Sequence, residues 1–264
     1  KIEVVANDYQ QEELIALLDD YNPAGFEQTD EKLIAYFNEE DFEKETIEKI
    51  LKGYSFEMTE VDEKNWNEEW ERNFQPVVVD DFVAVRAHFH EPIKGVQHEI
   101  VITPKMSFGT GHHATTYMMM QQMRAIDFTA KSVFDFGTGT GILAILSEKL
   151  GASKITAIDV DDWSIENAKE NFERNDCHKI EAMLSSSLPE ETYDIILANI
   201  NRNVILDYMP HLVKALRNNA IVLFSGLLIA DEEHITSAAV ANGLSFAKKQ
   251  ERNGWISLLF VTAS

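Results

Sequence analysis

The chain holds 264 residues, 45% of them hydrophobic, with a net charge of −22 and a single cysteine, Cys177. Wholesale disorder and an intrachain disulfide framework are excluded, and direct nucleic-acid binding is disfavoured because phosphates attract Lys and Arg and repel carboxylates. No apolar run reaches the ~18 residues of a membrane span, and Lys1–Ala6 leads into polar sequence rather than an apolar signal core, so a monomer in the cytoplasm, away from membranes, is expected.

Lys1–Ala6 reads as a strand, and Gln10–Tyr21 as a helix with Leu14, Ile15, Leu17 and Leu18 on its apolar side. After the break at Asn22–Gly25, two strands are expected at Gly25–Thr29 and Lys32–Phe37. Glu40–Leu51 reads as a helix closed by Gly53, and Tyr54–Val61 as a fourth strand. The β-α-β-β-α-β order predicts a small ferredoxin-like α+β domain over residues 1–62. A polar helix, Asp62–Phe74, follows; its Trp66 and Trp70 lie four apart on one face, where packing is the simplest use for them. Residues 63–78 are read as a linker and 79–264 as a second domain.

Pro76–Ala87 and Glu99–Ile102 read as strands. Beyond Lys131 strands alternate with helices. Strands are expected at Ser132–Phe136, Lys154–Ile158, Lys179–Leu184, Asp194–Ala198 and Ala220–Phe224. Helices are expected at Gly141–Leu150, Asp162–Arg174, Val204–Leu216 and Ala230–Ala241. This pattern predicts an α/β, doubly wound parallel sheet covered on both faces. Asn253-Gly254 between Leu244–Gln250 and Trp255–Val261 predicts a terminal hairpin.

Asp135-Phe136-Gly137-Thr138-Gly139-Thr140-Gly141 ends one strand and opens a helix. Glycines there admit positive φ and close approach of a ligand, at the strand end where doubly wound sheets bind nucleotides. Gly139–Ala144 even fits a dinucleotide pattern, which keeps an NAD-dependent oxidoreductase as a rival. Asp135 argues otherwise, because an acid ahead of the first glycine repels a pyrophosphate but suits the ammonium of S-adenosylmethionine. Asp159, at the end of the next strand, is placed to accept two ribose hydroxyls of either ligand. Asn199 ends the fourth strand of the series, where it faces the cofactor or the nucleophile unless it merely caps the next helix. Phe108–Thr116 precedes a helix and reads as a ligand-facing loop. Its adjacent His112 and His113 lack the acidic or cysteine neighbours of a metal site, and no metal is expected. Met118, Met119, Met120 and Met123 read as helix core.

Together these segments resemble one family, the PrmA-type methyltransferases that modify a large-subunit ribosomal protein. The Phe108–Thr116 loop looks like its F-G-T-G-T-H-P-T-T signature, Val133–Ala144 like its glycine motif, and Ala198-Asn199-Ile200 like its A-N-I. The resemblance implies a class I methyltransferase using S-adenosyl-L-methionine and a small N-terminal substrate-recognition domain. It also implies methyl transfer to lysine side chains and the N-terminal amine of a basic ribosomal protein. It places cofactor contacts on Thr116, Gly137, Asp159 and Asn199, to which the glycine loop adds Asp135 and Gly139. Asn199 is the expected catalytic residue, and Phe108 the expected wall of the acceptor slot. His112, Ala114 and Thr138 depart from the family pattern, as does Asn201-Arg202 after the A-N-I. The last departure borders the expected acceptor site. Carboxylates outnumber Lys and Arg about three to one before Pro76 and about three to two after it, so a basic partner is expected to dock on the N-terminal part. A methyltransferase with another acceptor, or a non-catalytic binding module on the same fold, are the remaining rivals.

Overall fold

The computed structural model describes residues 1–19, 21, 23–29, 31–38, 42–59, 75–104 and 111–262. The chain divides into two compact units, Lys1–Trp70 and Glu71–Ser264.

In the first unit, β1 (Ile2–Val5), α1 (Asp8–Asp19), β2 (Gly25–Gln28), β3 (Lys32–Tyr36), α2 (Lys44–Ile50) and β4 (Ser55–Met58) follow one another. The sheet order is β2-β3-β1-β4 with every pair antiparallel, which is the ferredoxin-like arrangement. Alternation decides the faces. Ile2, Val4, Leu33 and Ala35 are buried against Leu14 and Leu18 of α1 and Ile47 and Leu51 at α2. The buried Gln11 amide donates to Ala6 O at 2.9 Å and Thr29 O at 2.8 Å, tying α1 to the ends of two segments. The helix expected over Asp62–Phe74, with Trp66 and Trp70, lies outside the described residues.

The second unit begins with a three-stranded sheet, β5 (Val77–Val79), β6 (Val83–Ala87) and β7 (His98–Ile102), and then α3 (Ala114–Met123). The main sheet comprises β8 (Ser132–Phe136), β9 (Lys154–Asp159), β10 (Ile180–Leu184), β11 (Tyr193–Asn199), β12 (Leu216–Leu228), β13 (Leu244–Arg252) and β14 (Trp255–Thr262). The intervening helices are α4 (Ile142–Lys149), α5 (Asp162–Arg174), α6 (Arg202–Lys214) and α7 (Glu232–Ala241). The strand order is β10-β9-β8-β11-β12-β14-β13, parallel except for β14 and β13. The chain winds outward from β8 in one direction and from β11 in the other. The switch point between β8 and β11 is therefore where a crevice opens at the strand carboxyl ends.

Both faces of the sheet are covered. Val133, Ile195 and Leu197 face a core with Met119, Met120 and Met123 of α3, α4 and Phe172 of α5. Phe134, Phe136, Ile196 and Ala198 face a second core with Ile205, Met209 and Leu212 of α6 and Ile235 of α7. β12 runs well beyond the Ala220–Phe224 expected from its apolar run. At its start Leu216 pairs with Tyr193 of β11, after which a register shift leaves 217–220, a stretch whose polarity reads as loop, out of the ladder until Ile221 pairs with Ile195. At its far end Leu227 and Leu228 pair with β14.

Candidate active site

A cleft of about 690 Å³ opens at the carboxyl ends of β8, β9, β10 and β11, a size suited to a nucleoside-containing ligand. Its floor is the turn between β8 and α4. Gly137 and Gly141 take positive φ there, at 76° and 82°. A Cβ on Gly137 would collide with the Ile200 side chain, so only glycine lets the two strand ends lie together.

The loop's amides are already occupied. Gly137 and Thr138 both donate to Ile158 O, at 3.0 and 2.9 Å, and Gly141 donates to Thr138 O at 2.9 Å. Gly139 N–H donates to Asp159 Oδ2 at 2.9 Å. A phosphate-binding turn works by offering such amides to the ligand. Here four of them serve the protein, one of them held by the Asp159 carboxylate, so the turn offers few amides to a phosphate and suits a ligand that carries none.

Asp159 ends β9 on the cleft wall, with Val160 and Asp161 beside it. Its Oδ1 also accepts the Asp161 N–H at 3.1 Å, which fixes the carboxylate plane. Ser185 and Ser186, just beyond β10, line the same end.

Asn199 ends β11 and lines the cleft. Its Nδ2 donates to Thr116 Oγ1 at 3.1 Å, while its Oδ1 is buried and accepts from no described group. A buried acceptor left open is costly unless a ligand completes it. The helix cap is supplied instead by Asn201, whose Oδ1 accepts the Val204 N–H at 3.1 Å. Thr116 is 2% exposed and lies in the first turn of α3. His113 caps α3, shares a 2.8 Å hydrogen bond between Nδ1 and Thr115 Oγ1, and stands edge-on to Trp255 at 4.6 Å between ring centroids. Phe108, Gly109 and Thr110 lie outside the described residues.

Thr116, Gly137, Gly139, Asp159 and Asn199 thus share one cleft. Asp135 does not line it. Its carboxylate is 1% exposed and turned behind the loop, where Thr138 Oγ1 donates to it at 2.6 Å and the Ala144 N–H also bonds to it. The sequence places Asp135 against the ammonium; in the structure its side chain lies buried under the turn rather than on the cleft wall. Residues that the sequence did not single out also line the cleft, among them Trp255, Tyr208 and the Ser185–Ser186 pair. The strand-end rule could have found the serines. Trp255 had no local signal, since its place depends on β14 inserting next to β12.

The PrmA family model, ribosomal protein L11 methyltransferase, matches residues 2–263. The chain belongs to the ribosomal protein L11 methyltransferase family. A relative of that name from Phocaeicola vulgatus is 36% identical over 238 residues, 86% of this chain and 85% of the relative. One from Porphyromonas gingivalis is 44% identical over 204 residues, 76% of this chain and 70% of the relative. The crystal structure of a ribosomal protein L11 methylase from Lactobacillus delbrueckii subsp. bulgaricus superposes with a TM-score of 0.67 at 29% identity, covering 72% of this chain and all of that one. The strand order and the switch-point cleft are therefore those of a class I methyltransferase.

Burial pushes the Asp135 carboxyl up to about 7, helped by the nearby Asp159 charge and opposed by the Thr138 and Ala144 hydrogen bonds. The folded state holds this proton more tightly than the unfolded chain. The resulting stability is full below about pH 4 and is lost as pH rises through about 7, a change on the order of 4 kcal/mol. Asp135→Asn keeps an acceptor for Thr138 and removes the ionisation. Its melting temperature relative to the parent should therefore rise between about pH 5.5 and pH 8, measured without cofactor. A difference that does not change with pH would contradict the buried, proton-holding carboxyl.

Proposed function

We propose that this chain transfers methyl groups from S-adenosylmethionine to amines of ribosomal protein L11, on lysine side chains and on the N-terminal amine. The observation that carries the reading is the open Asn199 Oδ1 on a cleft whose glycine turn has its amides occupied and whose wall carries Asp159. S-adenosylmethionine supplies an electrophilic methyl on sulfur, and its thioether departs neutral. Asp159 accepts the ribose hydroxyls, Gly137, Gly139 and Thr116 shape the amino-acid end, and Asp135 braces the turn from behind.

The nucleophile has to be a neutral amine, yet free lysine has a pKa of about 10.4. Desolvation favours the neutral form. Ile200, Val204 and Trp255 give the cleft an apolar wall beside Asn199, and Phe108 is proposed to add to it. Asn199 Oδ1 then accepts an amine N–H and aims the lone pair at the methyl. As the N–C bond forms and the S–C bond breaks, the electron pair stays on sulfur and the spare amine proton passes to solvent. Alignment is the main catalytic effect.

Residues 1–62 are proposed as the substrate-recognition domain and 63–78 as its linker. The excess of carboxylates there suits a basic ribosomal protein met in the cytoplasm. The test uses the full chain, labelled S-adenosylmethionine and purified ribosomal protein L11. Label is expected in the protein, at a rate that falls several-fold between low and about 0.5 M salt as exposed charges are screened. A flat salt profile would remove charge from docking. Equal labelling of small free amines would favour a methyltransferase with a different acceptor.

A further inference from the structure

Arg202 opens α6, where the helix dipole disfavours a cation, and no acidic residue sits in that first turn to compensate. The guanidinium finds its partners elsewhere. Nη1 donates to Asp231 Oδ1 at 3.0 Å, and Nε and Nη2 donate to Asn203 Oδ1, each at 3.2 Å. Asp231 is 7% exposed, and its second oxygen accepts the Leu228 N–H at 2.9 Å. The next amide, Ile229, donates to Gly254 O at 3.2 Å.

These bonds gather three segments that wall one end of the cleft. The first is Asn199–Asn201 at the end of β11, directly before Arg202. The second is Gly226 near the end of β12, two residues before Leu228. The third is Trp255 at the start of β14, directly after Gly254. The first two are in close contact. Ile200 N–H donates to Ser225 O at 3.2 Å, and a Cβ on Gly226 would collide with the Ile200 backbone. A partly buried ion pair is sensitive to loss of one partner. Here it closes the outside of a wall whose inside carries the open Asn199 Oδ1.

We infer that Arg202 and Asp231 are positioning residues that set the aperture through which the acceptor amine reaches Asn199. The inference rests on the methyltransferase reading and deepens it. The clasp's own hydrogen bonds go to Asn203, Leu228 and each other rather than to Asp159 or the glycine turn, and its link to the turn runs through Ile200, so its main effect falls on acceptor geometry.

The test compares the full-length parent with Arg202→Ala, Arg202→Lys and Asp231→Asn, using S-adenosylmethionine and ribosomal protein L11. Arg202→Ala and Asp231→Asn are expected to lower kcat/KM for the protein acceptor by about tenfold, with the cofactor Kd within about twofold of the parent. Arg202→Lys should recover part of the loss, because an ammonium keeps the charge opposite Asp231 but cannot reproduce the fork that also binds Asn203. Parallel loss of cofactor affinity would overturn the aperture role, as would unchanged acceptor kinetics with a lower melting temperature. Equal defects in Arg202→Ala and Arg202→Lys would do the same. A parent chain that binds S-adenosylmethionine yet labels no ribosomal protein would contradict the acceptor assignment first, and the clasp's role with it.

Discussion

Asn199→Ala is expected to lower turnover on the protein acceptor by about 10²-fold or more, while the cofactor Kd rises by less than about tenfold. The asymmetry follows from the geometry. The amide is fixed by its 3.1 Å bond from Nδ2 to Thr116 Oγ1, leaving Oδ1 free for a proton donor that arrives with the acceptor. In the proposed site, by contrast, cofactor binding would be shared among Asp159, the glycine turn and Thr116, so the loss of one amide is diluted. Single-turnover rates alongside equilibrium binding separate the two effects. An unchanged rate would remove Asn199 from catalysis, and equal losses in rate and affinity would make it a cofactor ligand only.

Asp159→Ala should produce the largest loss of cofactor affinity, about 10²- to 10³-fold. Hydrogen bonds to a charged acceptor are worth about 1.5–3 kcal/mol each, and two ribose hydroxyls lose them together. The same carboxylate holds the Gly139 and Asp161 amides at 2.9 and 3.1 Å, so its removal also loosens the turn. Asp159→Asn keeps one acceptor oxygen and should lose only about tenfold. Kd values from titration decide the matter, and affinity retained in the alanine variant would mean that the ribose lies elsewhere.

Much of this site could be read from the chain because its signals are local. A glycine turn between an apolar strand and an apolar helix is specified within a dozen residues, and α5 begins and ends at the expected Asp162 and Arg174. Asn199 could be found because a run of apolar residues, Ile195–Ala198, delivers it to the strand end. The illegible features depend on contacts between distant segments. Asp135 shares the Val133 face of β8, and whether that face opens to the cleft or is closed under the turn is decided by α4 packing over it. β12 carries a polar bulge at 217–220 between its Leu216–Tyr193 and Ile221–Ile195 pairs, which depends on β11 rather than on the local sequence. Arg202 meets Asp231 across 29 positions, and its own surroundings argue against a cation at that point. Trp255 reaches the cleft only after the antiparallel hairpin has inserted beside β12.

The central claim is the identity of the cofactor, and calorimetric titration of the full chain with S-adenosylmethionine and, separately, with NAD tests it most directly. Saturable binding of S-adenosylmethionine with no heat from NAD is the predicted result. Saturable NAD binding without S-adenosylmethionine binding would contradict the account and return Gly139–Ala144 to the reading of a dinucleotide turn.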